Sequence, residues 1–221
     1  VPLGWTFNEP AHRLNLRTLA VHIVCFGQQN WDYCWTGKQH LMSRLARRGH
    51  HVLYIDPDWS SEPLPRRTAL RAVDLTRSGV GLRRIADRLH VFRYNYNPLL
   101  RWRLNVWRWQ SGRAVAAIAK HVGFAEPVAI GLRPDAGRLM RAVRPLGQLY
   151  YAVDEWTGFT DQDERKSQWR AAEESLLRQV DVALCVSPRL LQRFRQLNPQ
   201  TYLLENGADM QLFSPESLAC A

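Results

Sequence analysis

Two adjacent carboxylates, Asp154 and Glu155, follow directly on the apolar run 149–153. Such a run reads as a strand, so both acids are expected just past a strand's carboxyl end, where open α/β sheets hold their ligands. A carboxylate there is placed to take the proton of a reacting hydroxyl. Asp154 serves equally well as the cap of a local turn, and both readings stand at this point. A second group lies in the turn after the first apolar run and carries Gly27, Trp31, Thr36, Gly37, Lys38, Gln39 and His40. Gly27 and the helix start at Thr36, Gly37 and Lys38 would present backbone N–H groups to a phosphate, or they form a tight turn and a capped helix and nothing more. The aromatic and amide groups of the same loop suit stacking on, and hydrogen bonding to, a sugar or lipid-linked acceptor. His40, one turn into that helix, is either structural or a substrate contact. Arg133, just past the run ending at Gly131, either meets an anionic acceptor or diphosphate or lies on the surface. Asn206 and Asp209, where the last strand signal breaks at Asn206-Gly207, shape a turn or touch substrate.

Nucleotide motifs do not fit this loop. It matches neither GxGxxG nor GxxxxGK[ST]: no glycine lies five residues before Gly37, and Gln39 stands where a Ser or Thr would hold magnesium. A dinucleotide site and a Walker-type NTPase are both disfavoured, and no cofactor is expected. Cys25, Cys34, Cys185 and Cys220 show no CxxC spacing, and Cys25 and Cys185 lie inside apolar runs. They read as buried, reduced thiols of a cytoplasmic protein, with no metal site. No apolar run approaches the roughly 18 residues of a membrane span, and residues 1–19 are too polar for a secretory signal. The expectation is a soluble protein, at most peripheral on the inner face of the cell membrane.

Charge is unevenly spread. Residues 1–150 hold 23 Lys and Arg against 9 Asp and Glu, whereas residues 151–221 hold 7 against 11, within a total of +10. A basic first part is compatible with an anionic membrane, a phosphorylated substrate or nucleic acid.

The elements that must position these groups alternate. Residues 19–26 form a continuous apolar run, as expected of a central parallel strand covered on both faces. A helix capped by Thr36 runs to about Arg48, with Leu41, Met42 and Leu45 inward and Gly49 as its stop. Residues 51–56 complete a βαβ unit, and residues 89–94 read as a third strand. Helical periodicity spans 98–122, then come a strand at 128–131, a helix near 135–143, the strand 149–153 and a helix from Thr160 to about Gln179. A strand at 181–186, a helix opened by Ser187-Pro188 and running to Leu197, and a strand at 201–205 close the series. About seven strands with helical crossovers predict one doubly wound, mostly parallel, Rossmann-like α/β sheet. It occupies residues 18–205, after an N-terminal extension at 1–17.

The stretch 23–57, with Trp31-Asp32, Gln39-His40 and Leu45-Ala46-Arg47-Arg48-Gly49-His50, resembles the amino-terminal lobe of bacterial GT-B glycosyltransferases, particularly the family 4-like enzymes of polysaccharide synthesis. Residues 150–155, 181–187 and 206–213 are similar to later landmarks of that lobe, in the same order. The resemblance implies a two-lobed enzyme whose first lobe holds a glycan or lipid-linked acceptor and whose second binds the nucleotide-sugar donor. Residues 206–221 would begin the inter-lobe linker, and the chain alone would transfer little sugar. Asp154 or Glu155 would be the base of an inverting enzyme, while a retaining one needs none. Gly27, Asp154 and Asn206 are expected to form one concave wall.

Rival readings are a noncatalytic carbohydrate-binding or regulatory domain and, less favoured, a nucleic-acid binder. No helix-turn-helix, RRM or OB signature is present, and the basic residues are scattered, so no nucleic acid is expected. Trp102, Trp107 and Trp109 among Arg101, Arg103 and Arg108 suit either a helix packed on the sheet or one dipping into anionic lipid.

Overall fold

In the computed structural model, which describes residues 20–57, 81–93 and 104–207, with side chains of the last span from 111 onward, eight strands form one sheet. They are β1 (His22–Phe26), β2 (His51–Asp56), β3 (Leu82–Ala86), β4 (Leu89–Arg93), β5 (Val128–Gly131), β6 (Gly147–Ala152), β7 (Val182–Cys185) and β8 (Thr201–Leu203). Their order is β3-β4-β2-β1-β5-β6-β7-β8. All neighbours are parallel except β3, which runs antiparallel to β4. Chain order runs outward from β1 through β2 to β4 on one side and from β5 to β8 on the other. The fold is therefore α/β and Rossmann-like, and the divergence between β1 and β5 is the place where such sheets open a ligand crevice.

The period-2 rule sorts β1 cleanly. Val24 and Phe26 join one buried cluster, Ile23 and Cys25 the other. The first cluster includes residues of α2 (Leu104–His121), α3 (Gly137–Ala142), α4 (Asp163–Gln179) and α5 (Pro188–Arg195); the second includes Met42 and Ala46 of α1 (Gly37–Arg47). Helices thus cover both faces, which is why β1 needs no polar side.

Several boundaries differ from the sequence reading. The strand β3 adds an eighth member: Leu82-Arg83-Arg84-Ile85-Ala86 lacks an apolar face because, as an edge strand, it is mostly exposed. The helix read as opening at Thr160 begins at Asp163, since the Thr160 hydroxyl accepts the Gln162 N–H (3.3 Å) in a turn ahead of it. Residues 134–136 form a 3-10 turn before the short α3. Cys25 and Cys185 are buried free thiols, but Cys34 is exposed. The extension 1–17, Asp209, Cys220, Trp102 and nearly all of the linker lie outside the described residues, as do the side chains of Trp107 and Trp109.

The turn after β1 is set by one close approach. A Cβ on Gly27 would lie 2.0 Å from the Tyr54 hydroxyl oxygen and 2.2 Å from the ring carbon bearing it. Tyr54 is fully buried, and its hydroxyl donates to the Gln29 carbonyl (2.7 Å). Gly27→Ala is expected to cost about 1–3 kcal/mol through overpacking. Adding Tyr54→Phe will not restore stability, because the ring carbon still clashes; urea unfolding of the single and double variants checks this.

Candidate functional site

The β1–α1 loop is held from beneath. Asp56, the last residue of β2 and fully buried, accepts the Trp31 N–H at 2.7 Å through Oδ1 and Arg93 Nε at 3.1 Å through Oδ2. Arg93 lies opposite Asp56 in the β2–β4 register and also reaches Asp32 (3.2 Å), which Arg83 of β3 contacts at 2.7 Å. Burial pushes the Asp56 carboxyl above its ordinary range, against the opposing pull of the Trp31 N–H and Arg93. Desolvation therefore outweighs pairing at this position.

Inside the loop, several residues read as ligand contacts turn inward. Trp31 is buried, its ring edge-on to Tyr54 (5.1 Å) and Trp35 (5.9 Å). Gln39 is fully buried: its Oε1 accepts the Thr36 N–H (2.9 Å) and its amide donates to the carbonyls of Trp31 (2.9 Å) and Cys34 (3.2 Å). A residue at the third helical position that reaches back to the cap in this way fixes the start of α1. Lys38 folds onto the loop as well, donating to Gln29 Oε1 (2.6 Å) and Thr36 Oγ1 (3.1 Å), and burial lowers its ammonium pKa. His40 packs its ring edge-on to Trp35 at 5.7 Å. Gly37 is exposed, with nothing within 4 Å of where a Cβ would sit.

Gly27, Asp154 and Asn206 follow the parallel strands β1, β6 and β8 and so share one sheet edge. Gln28 brings the first two together, donating Nε2 to Asp154 Oδ2 at 3.3 Å across the intervening β5. Asn206 is exposed, and β8 stands two strands, roughly 10 Å, beyond β6. The wall thus joins the Gly27 turn to Asp154, with Asn206 farther along the edge.

Two buried oxygens in this loop, Gln28 Oε1 and Asn30 Oδ1, have no hydrogen-bond partner among the described residues. Flipping the Gln28 amide would turn its oxygen toward the Asp154 carboxylate, so the orientation with Oε1 unmet is the stable one. A buried acceptor without a donor costs about 1–3 kcal/mol, a cost that a hydroxyl donor would remove.

The two acids are held differently. Glu155 faces Arg193 (3.6 Å) and Arg189 (3.8 Å), and Arg193 also binds the buried Glu173 at 2.5 Å, which in turn accepts the Tyr150 hydroxyl at 2.8 Å. Burial raises the carboxyl of Glu173, and burial together with Glu173 raises the phenol of Tyr150. Asp154 accepts one hydrogen bond, from Gln28, among the described residues.

Beside Gly27 a cavity of about 530 Å³ opens at the β1/β5 divergence. Its walls include Gly27, Asp56, Ser111, Arg133, Arg138 and Arg141, with α4 behind. Arg133 is gripped by Asp135, Nε to Oδ1 at 2.8 Å and Nη2 to Oδ2 at 2.5 Å. Of the residues singled out in the sequence, Gly27 and Arg133 line this cavity, while Asp154 is bonded to Gln28, the residue next to Gly27. Asp56, Gln28 and Arg138 carry no motif; a lone Asp ending an apolar strand was the one legible signal among them. Among the described residues no three His, Cys, Asp or Glu side chains cluster to hold a metal ion, and no helix is long and apolar enough to cross a membrane. No family model matches the chain, and no curated protein does.

The raised Asp56 carboxyl carries a signed consequence. The folded state binds this proton more tightly than the unfolded chain, so the stabilisation is complete below the ordinary value of 3.8 and is lost as pH rises through the folded value. Asp56→Asn keeps an oxygen for the Trp31 N–H but abolishes the titration. The stability difference, wild type minus Asp56→Asn, is expected to fall as pH increases above 3.8, read from urea midpoints. A difference that grows with pH in that window would mean that the Arg93 pair dominates burial.

Proposed function

We propose that residues 20–207 form the acceptor-binding lobe of a GT-B-like glycosyltransferase that moves a sugar from a nucleotide-sugar donor to a glycan or lipid-linked acceptor. The observation that supports the reading is the pair of buried, unmet amide oxygens of Gln28 and Asn30 in one loop, with Gln28 bonded to Asp154. A sugar hydroxyl both donates and accepts, so one ring can satisfy the amide oxygens while offering another hydroxyl to the carboxylate. In an inverting reaction Asp154 would take the proton of the attacking hydroxyl, which leaves with the hydroxyl's bond to the anomeric carbon forming and the bond to the nucleotide diphosphate breaking. The exposed rings of Tyr33 and Trp35 in the same loop offer apolar faces for a pyranose. The rigid underpinning by Asp56 and Tyr54 supports this use, since a site that holds a hydroxyl near its reaction partner gains rate from fixed geometry.

Calorimetric titration of the chain with oligosaccharide and polyprenyl-linked sugar acceptors is expected to show binding without any nucleotide sugar. Asp154→Asn and Gln28→Ala should each weaken it about tenfold, or about 1.4 kcal/mol. Binding unaffected by both substitutions, or binding of the nucleotide sugar alone, would contradict the reading.

A further inference from the structure

The cavity beside Gly27 is electrostatically unbalanced in a way that the acceptor reading does not require. Four of its charged neighbours are matched in pairs: Arg133 with Asp135, and Asp56 with Arg93. Two wall cations have no carboxylate. Arg138 is exposed and has no partner among the described residues, and Arg141 donates Nη1 to the neutral amide oxygen of Gln179. They stand three residues apart on α3, a spacing that puts two side chains on one helix face. Gln179 is itself fixed, donating to the Gly137 carbonyl (3.0 Å) and to Gln148 Oε1 (2.6 Å), so Arg141 is held by a positioned neutral group. Two positive charges therefore converge on a cavity large enough for a small organic ligand, and nothing anionic among its described walls neutralises them.

We infer that this cavity binds a phosphate monoester, with Arg138 and Arg141 as its counter-ions. Two guanidiniums match a dianion in charge, and each presents N–H pairs to tetrahedral oxygens; a single carboxylate would leave one of them unmatched. Arg133, already clamped by Asp135, sets the wall and supplies no net charge. The inference rests on the acceptor reading only for what the phosphate is attached to: a sugar or a polyisoprenyl chain carries the same group.

Titration of the chain with glucose 1-phosphate, farnesyl phosphate, glucuronate and glucose tests this. At least one phosphate is expected to bind tenfold or more tighter than glucose and glucuronate, with affinity falling as salt is raised. Preference for farnesyl phosphate assigns a lipid-borne phosphate, and preference for glucose 1-phosphate a soluble one. Arg138→Gln, on an exposed side chain that holds nothing in place, is expected to weaken phosphate binding at least threefold at an unchanged thermal midpoint. Arg138→Gln with Arg141→Gln should weaken it at least tenfold. Equal binding of glucose or glucuronate, no binding of either phosphate, or a phosphate affinity unmoved in Arg138→Gln would overturn the inference. Neutral glycan binding that depends on Asp154 but ignores the arginines leaves the acceptor reading standing and this inference refuted. Phosphate binding that depends on the arginines, with no glycan binding, does the reverse.

Discussion

The β1–α1 loop at the sheet's carboxyl edge depends on one buried carboxylate. Asp56 ends β2 at zero exposure and spends its oxygens on a loop N–H and on an arginine of the next strand. Carrying a charge into the interior is costly, and the upward shift of its carboxyl shows that the cost is only partly offset. What it achieves is geometric: the chain leaving β1 is tied to the strand pair β2–β4, at the point where a doubly wound sheet parts. Tyr54 adds a second tie two residues earlier, its ring filling the space that a side chain at position 27 would need. The loop cannot lie anywhere else without breaking one of the two.

Fixing the loop has a chemical consequence. With Trp31, Gln39 and Lys38 turned inward to hold it, the loop keeps two buried amide oxygens that need a partner, those of Gln28 and Asn30, and Gln28 reaches Asp154 across the sheet. Polar atoms left unmet in an otherwise satisfied loop are where a ligand gains most, because binding removes a cost already incurred on folding. The arginines of α3 supply the complementary feature in the cavity that Gly27 also lines, an attraction for negative charge. Hydroxyl recognition and charge recognition are thus separated in space, and each is testable without the other.

Much of this architecture was legible in the residues. Continuous apolar runs gave β1 and β2 because both faces of a central parallel strand are covered, and Ser187-Pro188 announced α5, where the Ser187 hydroxyl accepts the Leu190 N–H at 3.3 Å. The antiparallel β3 escaped notice because an exposed edge strand needs no apolar alternation. The site was legible in position and less so in detail. Gly27 and Arg133 line the cavity and Asp154 follows β6 at the same sheet edge, positions that could be read because strand ends show in hydrophobic runs. The inward turn of Trp31 and Gln39 could not be read, since it depends on Asp56, twenty-five residues on, and on a loop that folds over itself. Arg138 is one arginine among many in the sequence, and only its place in the cavity wall, with no carboxylate bound to it among the described residues, distinguishes it.

The Gln28 and Asn30 amide oxygens of this loop are the proposed contacts of a sugar. The most direct measurement is a crystal structure of the chain soaked with an acceptor oligosaccharide. The expected result is a pyranose whose hydroxyls lie within hydrogen-bond distance of Gln28 Oε1 and an Asp154 carboxylate oxygen. A sugar bound elsewhere, with ordered water on the Gln28 and Asn30 oxygens, would contradict it.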